Sequence, residues 1–211
     1  MSKKNSGSIW KILLLIGVAA LVGAGYVLYQ KPEVQEKVED ARWIYEHREA
    51  DLYQGIDWTD GEIVKVLDGN WVYVKIKEGF VYALRIRGLE APTLAVRLSD
   101  DTLKLGQASK KFLEELALKK PMRFQVIDMS DQRYGHGYIE LNDESILFPM
   151  IKAGMARLNR SEITHFDNQT LLDLFQTERE AQKSGVGIWE PSLQIDWTVG
   201  DFSQTEQAPQ L

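Results

Sequence analysis

The chain contains no cysteine. That excludes disulfides, thiolate metal sites and a cysteine nucleophile. It also lacks an excess of positive charge: 25 lysines and arginines stand against 31 aspartates and glutamates, a net charge of −6 at pH 7. Between residues 60 and 190 the count is 18 basic to 20 acidic, a net of −2. Nucleic-acid binders draw most of their affinity from phosphate neutralisation and counterion release. The overall field of this chain therefore gives no help to a polyanionic partner, although a local basic groove stays compatible with it. Histidine is scarce, with three residues. His47 falls in an expected helical stalk and His165 in a polar loop, where simple exposure accounts for both. No internal repeat is present.

One long apolar run stands out. Ile12–Tyr29 reads ILLLIGVAALVGAGYVLY, 18 residues without a charge. At the helical rise it spans about 27 Å, close to the hydrocarbon thickness of a bilayer. Trp10, Tyr26 and Tyr29 suit the two interfaces. The expectation is a single-pass membrane anchor. A cleaved signal peptide ending near the small residues 23–25 is the competing reading, but the apolar run continues past that point. Lys3, Lys4 and Lys11 precede the span, whereas residues 31–59 carry four basic and eight acidic side chains. The positive-inside tendency then keeps the N-terminus cytoplasmic and puts the rest on the outer, periplasmic or extracellular side.

The expected organisation is a basic segment (1–11), a membrane helix (12–29), a helical juxtamembrane stalk (30–59), a globular domain (60–191) and a disordered polar tail (192–211). In the stalk, Val34, Val38, Ala41, Ile44 and Tyr45 repeat at three to four residues, which predicts a helix over 33–53. It reads equally as a solvated spacer or as a docking helix. The tail has no period and is rich in glutamine, with Trp197 and Phe202 able to tack part of it down.

From Gly61 the apolar period falls to two. Asp68-Gly69-Asn70 and Glu78-Gly79 are turn signals that divide 61–89 into a three-stranded meander. Leu105, Ala108, Phe112 and Leu116 then predict one face of a helix ending near Leu118. Strands follow over 122–127 and 137–141. A short helix follows over 146–154 and a longer one over 168–183, capped by Asn168 or Thr170 and stopped at Gly185. This α+β order is compatible with a five-stranded OB-fold β-barrel carrying about three helices, preceded by a single N-terminal transmembrane helix.

The wording of the domain resembles the staphylococcal nuclease (thermonuclease) family. Asp68-Gly69-Asn70 matches that family's Asp-Gly-Asp turn. Residues 84–93, LRIRGLEAPT, resemble its V-R-L-L-G-I-D-A-P-E. Gly106-Gln107-Ala108-Ser109 follows its G-x-x-A, and Arg133-Tyr134-Gly135-His136 its K-Y-G-R. Residues 151–156, IKAGMA, resemble V-x-x-G-L-A, and 179–189 resemble its closing E-A-x-x-x-x-x-G-I-W. The pieces run in family order over about 61–191. The resemblance implies phosphodiester hydrolysis with a calcium ion, which needs oxygen ligands, a base for the attacking water and fixed cations for the phosphate.

Carried over position by position, the metal ligands fall on Asn70 and Glu90, and the catalytic positions on Arg85, Thr93 and His136. Asn70 replaces an aspartate and loses the charge. Glu90 keeps the charge on a longer stem. Thr93 replaces the glutamate and is no base near neutral pH. The second arginine falls on His136, or on Tyr134 under another alignment, and neither offers a bidentate fork. Arg133 is close enough in sequence to substitute for it. Asp100 and Asp101 could replace the lost carboxylates but also read as solvated loop acids. Arg85 reads equally as a phosphate ligand or as an ion-pair partner of Glu90. Trp71, Tyr73 and Tyr82 read either as a stacking platform for single-stranded nucleic acid or as sheet cover. The expectation is a pseudo-nuclease acting as a binding or scaffolding module. A protein is the favoured partner, nucleic acid is possible, the membrane is engaged through Ile12–Tyr29, and no cofactor is expected unless calcium is retained. The alternative is a divergent metal-dependent nuclease on DNA or RNA.

Overall fold

A computed structural model describes residues 27, 29–47, 57–94, 99–131, 134–164, 166–195 and 197. Most of the expected membrane span, the end of the stalk, Arg133, His165 and the tail beyond 197 lie outside the described residues. No helix among the described residues is long and apolar enough to cross a membrane. Two units are distinct, one ending at Glu46 and one beginning at His47. In the first, α1 (Pro32–His47) opens on a proline and carries Glu33 in its first turn. Both suit a helix start, because proline has no amide to leave unpaired and the carboxylate meets the positive end of the dipole.

The second unit begins with the meander read from the sequence. Strand β1 (Thr59–Val66) pairs antiparallel with β2 (Trp71–Ile76), which pairs antiparallel with β3 (Val81–Ile86). Helix α2 (Asp100–Ala117) then crosses to β5 (Pro121–Asp131), which pairs antiparallel with β1 and with β6 (Tyr134–Leu141). The parallel pairing of β6 with β3 closes the five strands into a barrel, so no long sheet edge is left open to pair with another chain. A two-residue strand, β7 (Glu144–Ser145), extends β6. Helices α3 (Leu147–Lys152) and α4 (Asn168–Ser184) complete the unit. Between β3 and α2 lies β4 (Leu89–Glu90). It pairs antiparallel with β8 (Arg157–Leu158), which follows α3. This closed α+β barrel fits the expected OB-fold.

The core is the inner face of the barrel with the undersides of the helices. Ile63, Val72, Val74, Leu84, Ile86, Phe124 and Ile139 are buried in the strands; Leu113, Leu147, Met150, Ile151, Leu174 and Phe175 cover them. These residues alternate along the strands as a sheet with one buried face requires.

Helix α2 differs from the sequence reading. It starts at Asp100, capped by the Ser99 hydroxyl, and its buried face is Thr102, Gly106, Ser109, Leu113 and Ala117. Of the expected stripe, Leu105, Phe112 and Leu116 are only half-buried and Ala108 is exposed. The buried face is built from small residues because the helix lies close against neighbouring backbone. A Cβ on Gly106 would come within 2.9 Å of the Thr93 carbonyl oxygen. Asp100 and Asp101 occupy the helix's first turn rather than a loop, where the dipole favours them. In α4 the cap is Asp167, one residue before the expected position. Its carboxylate accepts from the amides of Gln169 (2.9 Å) and Thr170 (3.0 Å), and the helix ends at Gly185 as expected.

Candidate functional site

The site is built around the turn between β1 and β2. Asp68 is 1% exposed and accepts from the amides of Asn70 and Trp71, both at 2.9 Å, an Asx-type closure of the turn. Burial pushes the Asp68 carboxyl up to about 6, against the pull of those two amides and of Arg85 and Lys110. The turn rests directly on α2: a Cβ on Gly69 would lie 2.0 Å from the Ser109 hydroxyl.

Asn70 is buried, and its side-chain amide donates to the Leu89 carbonyl at 2.9 Å. Its own carbonyl accepts from the Ile86 amide at 2.8 Å. Asn70 thus ties the first turn to both the end of β3 and the start of β4. Glu90, the next residue in β4, accepts from the Arg157 guanidinium at 2.7 Å. Thr93 follows and is 5% exposed. Among the described residues, no group of three or more histidine or carboxylate side chains is placed to hold a metal ion.

On the other side of the turn, Arg85 of β3 stands directly opposite His136 of β6 and opposite Trp71 of β2. Tyr134 is paired with Ala83 instead, so the register sets His136 beside Arg85. The His136 ring meets Trp71 edge to face, with centroids 6.4 Å apart. Burial holds the imidazole below its ordinary value, with Arg85 acting the same way and Glu162 and Asp128 partly offsetting it. Arg85 and His136 are therefore direct strand neighbours, and Asn70 bonds the chain on either side of Gly88, at the Ile86 amide and at the Leu89 carbonyl beside Glu90.

Glu162, like Arg157, is a residue that sequence reasoning missed. It lies in a 3-10 turn (Arg160–Glu162) after β8. Its carboxylate receives the Arg85 guanidinium at 2.5 Å and the Gly88 amide at 3.0 Å. Arg85 and Glu162 are 14% and 18% exposed as side chains, so the pair is largely removed from solvent. The expected alternative, Arg85 paired with Glu90, does not occur: each has a different partner. Gly88 has φ +82, and a Cβ there would meet Ile163 at 2.5 Å. Only glycine fits this close approach with a left-handed backbone. The Tyr138 hydroxyl donates to the Glu162 carbonyl. No local pattern announces Glu162, because its partner Arg85 lies 77 residues away.

The aromatic set divides. Trp71 is buried beside His136, and Tyr73 lies on the same outer face, with the Lys65 ammonium 5.9 Å from its ring centre. Tyr82 pairs with the buried Val74 and belongs to the opposite face. The three do not make one platform.

The "Staphylococcal nuclease homologue" family model matches residues 83–191. The chain is also 30% identical over 154 residues to an uncharacterized protein of Methanocaldococcus jannaschii, an alignment that covers 61% of this chain and 70% of that relative. The closed barrel, the ordered motifs and the family match agree: the chain belongs to the staphylococcal nuclease homologue family.

Proposed function

We propose that this chain is a membrane-anchored, non-hydrolytic member of its family that acts as a binding or scaffolding module for a protein partner. The single observation that carries the reading is the pairing of the site's charges with the protein itself. Arg85, the family's phosphate position, is held by Glu162 at 2.5 Å. Glu90, the family's metal position, is held by Arg157 at 2.7 Å.

The remaining positions point the same way. Thr93 supplies no base, and a lost general base costs about 10²–10⁴-fold in rate. His136 replaces a permanent cation, and burial holds it toward the neutral form. By analogy with phosphoryl transfer, a missing arginine costs roughly 10³–10⁵-fold. Such losses are not simply additive, yet either one leaves little activity. The donor set also does not fit calcium. A hard dication seeks six to eight oxygens, several of them charged. Here Asn70 offers a neutral oxygen, and Glu90 already faces a guanidinium. A protein partner suits the net charge of −2 over residues 60–190 better than a polyanion does. OB-type barrels carry binding roles readily because fold and activity separate.

The test is a cleavage assay on single- and double-stranded DNA and RNA with calcium, magnesium or manganese. It compares the native chain with a variant carrying Asn70→Asp, Glu90→Asp, Thr93→Glu, His136→Arg and Glu162→Gln. Cleavage by the folded variant alone supports the reading. Cleavage by the native chain contradicts it and favours a divergent metal-dependent nuclease, for which the Arg85–His136 row is the starting point. For the anchor, protease added outside intact cells should digest the domain. Protection of the domain would reverse the proposed orientation.

A further inference from the structure

The counter-charges of Arg85 and Glu90 both come from one stretch of chain, residues 157–162. Arg157 and Leu158 form β8 and pair with Glu90 and Leu89. The Asn159 amide donates to the Gly88 carbonyl at 3.0 Å, and the Gly88 amide donates back to the Glu162 carboxylate at 3.0 Å. The stretch is thus bonded along 88–90, with a cation at its start and an anion at its end. The cation meets Glu90 and the anion meets Arg85.

These contacts are arranged like those of a ligand. A guanidinium beside a backbone N–H is a cradle for a small oxyanion, since both donate charge-assisted bonds to oxygen. The Glu162 carboxylate fills that cradle with two separate oxygens, Oε1 toward Arg85 and Oε2 toward Gly88. Neither pair is fully buried. Exposure rises from 14% and 18% for Arg85 and Glu162 to 25% and 33% for Glu90 and Arg157. The cation end is covered in turn by Trp197, whose ring centre lies 3.8 Å from the Arg157 guanidinium carbon. Nearby, the Ser99 hydroxyl donates to the Gln194 carbonyl at 3.1 Å. Trp197 of the C-terminal segment thus covers the Arg157 end of the stretch.

We propose that residues 157–162 are a built-in occupant of the site, with the Glu162 carboxylate taking the place of a phosphate group on Arg85 and Gly88 and the Arg157 guanidinium taking the place of a cation on Glu90. This deepens the non-hydrolytic reading and rests on it. A phosphate-bearing ligand reaches Arg85 only by displacing Glu162. An intramolecular occupant competes at a high effective concentration, so the native chain binds phosphate poorly even though the cradle is intact.

The test is a titration of the full-length chain in detergent micelles with two probes. Inorganic phosphate is followed by the chemical shift of the Gly88 amide. A fluorescein-labelled octathymidylate is followed by anisotropy. Glu162→Gln removes the charge but keeps an oxygen for the Gly88 amide. It is expected to bind phosphate at least tenfold more tightly than the native chain, and adding Arg85→Ala is expected to abolish the gain. A gain with both probes means that a phosphate within a nucleic-acid backbone can enter; a gain with inorganic phosphate alone restricts the site to a free anion. Tyr138→Phe loosens the Glu162 backbone without altering any charge, and should give a smaller gain of the same sign. If Glu162→Gln does not fold, Tyr138→Phe decides. The proposal is overturned if the folded variant titrates like the native chain, or if its gain survives Arg85→Ala. Cleavage is assayed in the same samples. Cleavage by the native chain would count against the non-hydrolytic reading, whereas flat binding counts only against the internal occupant.

Discussion

Replacing Asp68 with asparagine should stabilise the protein near neutral pH. The carboxyl is 1% exposed and accepts two backbone amides through one oxygen, which an asparagine oxygen can also do. Burial raises it from 3.8 to about 6. A group whose folded value is raised contributes stability that is fully present below the unfolded value and lost as pH rises through the folded one. The window here is pH 3.8 to about 6. Over it the native chain loses about 3 kcal/mol from this residue, at 1.36 kcal/mol per unit. The substituted asparagine does not ionise and avoids that loss. Its new amide hydrogens need partners in a buried place, which costs roughly 1–2 kcal/mol, leaving a net gain of about 1–2 kcal/mol at pH 7. Urea unfolding of both proteins at pH 3.5, 5 and 7 measures this, because the difference between the curves cancels every other titrating group. The gain should appear between pH 5 and 7, and the order should reverse at pH 3.5, where native Asp68 is neutral. A variant less stable than native at pH 7, with a pH-independent difference, would refute the reasoning: the buried charge would then be stabilising the turn.

Two further outcomes follow from the same region. The Ser109 hydroxyl is buried and has no hydrogen-bond partner among the described residues. Ser109→Ala should therefore raise stability by about 1 kcal/mol, while Gly69→Ala, which drives a Cβ to 2.0 Å from that hydroxyl, should lower it by about 2 kcal/mol; thermal unfolding reads both. His136 should titrate below 6.5 by NMR, because burial and Arg85 disfavour its charged form. The unfolded chain then takes up a proton that the folded chain refuses, so stability falls as pH drops below 6.5. Glu162→Gln should push the titration lower still, since Glu162 is a raising influence; an upward shift would contradict the placement of these groups.

Much of this fold was legible in the sequence, and the reason is physical. Strands with one buried face alternate, so the apolar period of two from Gly61 announced the meander, and Asp68-Gly69-Asn70 marked the turn. The motif order also pointed to Arg85 and His136, which strand register sets side by side. Helix α2 was read on the wrong face, because Gly106 packs closely on the backbone of Pro92 and Thr93 and Ser109 on the turn at Gly69. Close approach selects small side chains there, and a hydrophobic count looks for large ones. Glu162 and Arg157 were not legible. They act on Arg85 and Glu90 across 77 and 67 residues, and charge complementarity at that separation leaves no local period. The sequence showed which family residues had been replaced. The structure added what holds the charged ones that were kept.

Asn70 is uncharged and holds β4 through Leu89, so in this chain the position has a structural role. Arg85 and Glu90 stay charged and are neutralised in place. Removing one partner of such a pair leaves a poorly solvated charge, which is commonly more destabilising than having no pair at all. The two halves of each pair are therefore expected to be replaceable together more easily than singly.

The most direct measurement is the cleavage rate of labelled single-stranded DNA by the native full-length chain with calcium, magnesium or manganese, set against Arg85→Ala as background. The two proteins are expected to be indistinguishable with every metal. Cleavage by the native chain that disappears in Arg85→Ala would contradict the non-hydrolytic reading, and would mean that Arg85 leaves Glu162 to meet a substrate phosphate.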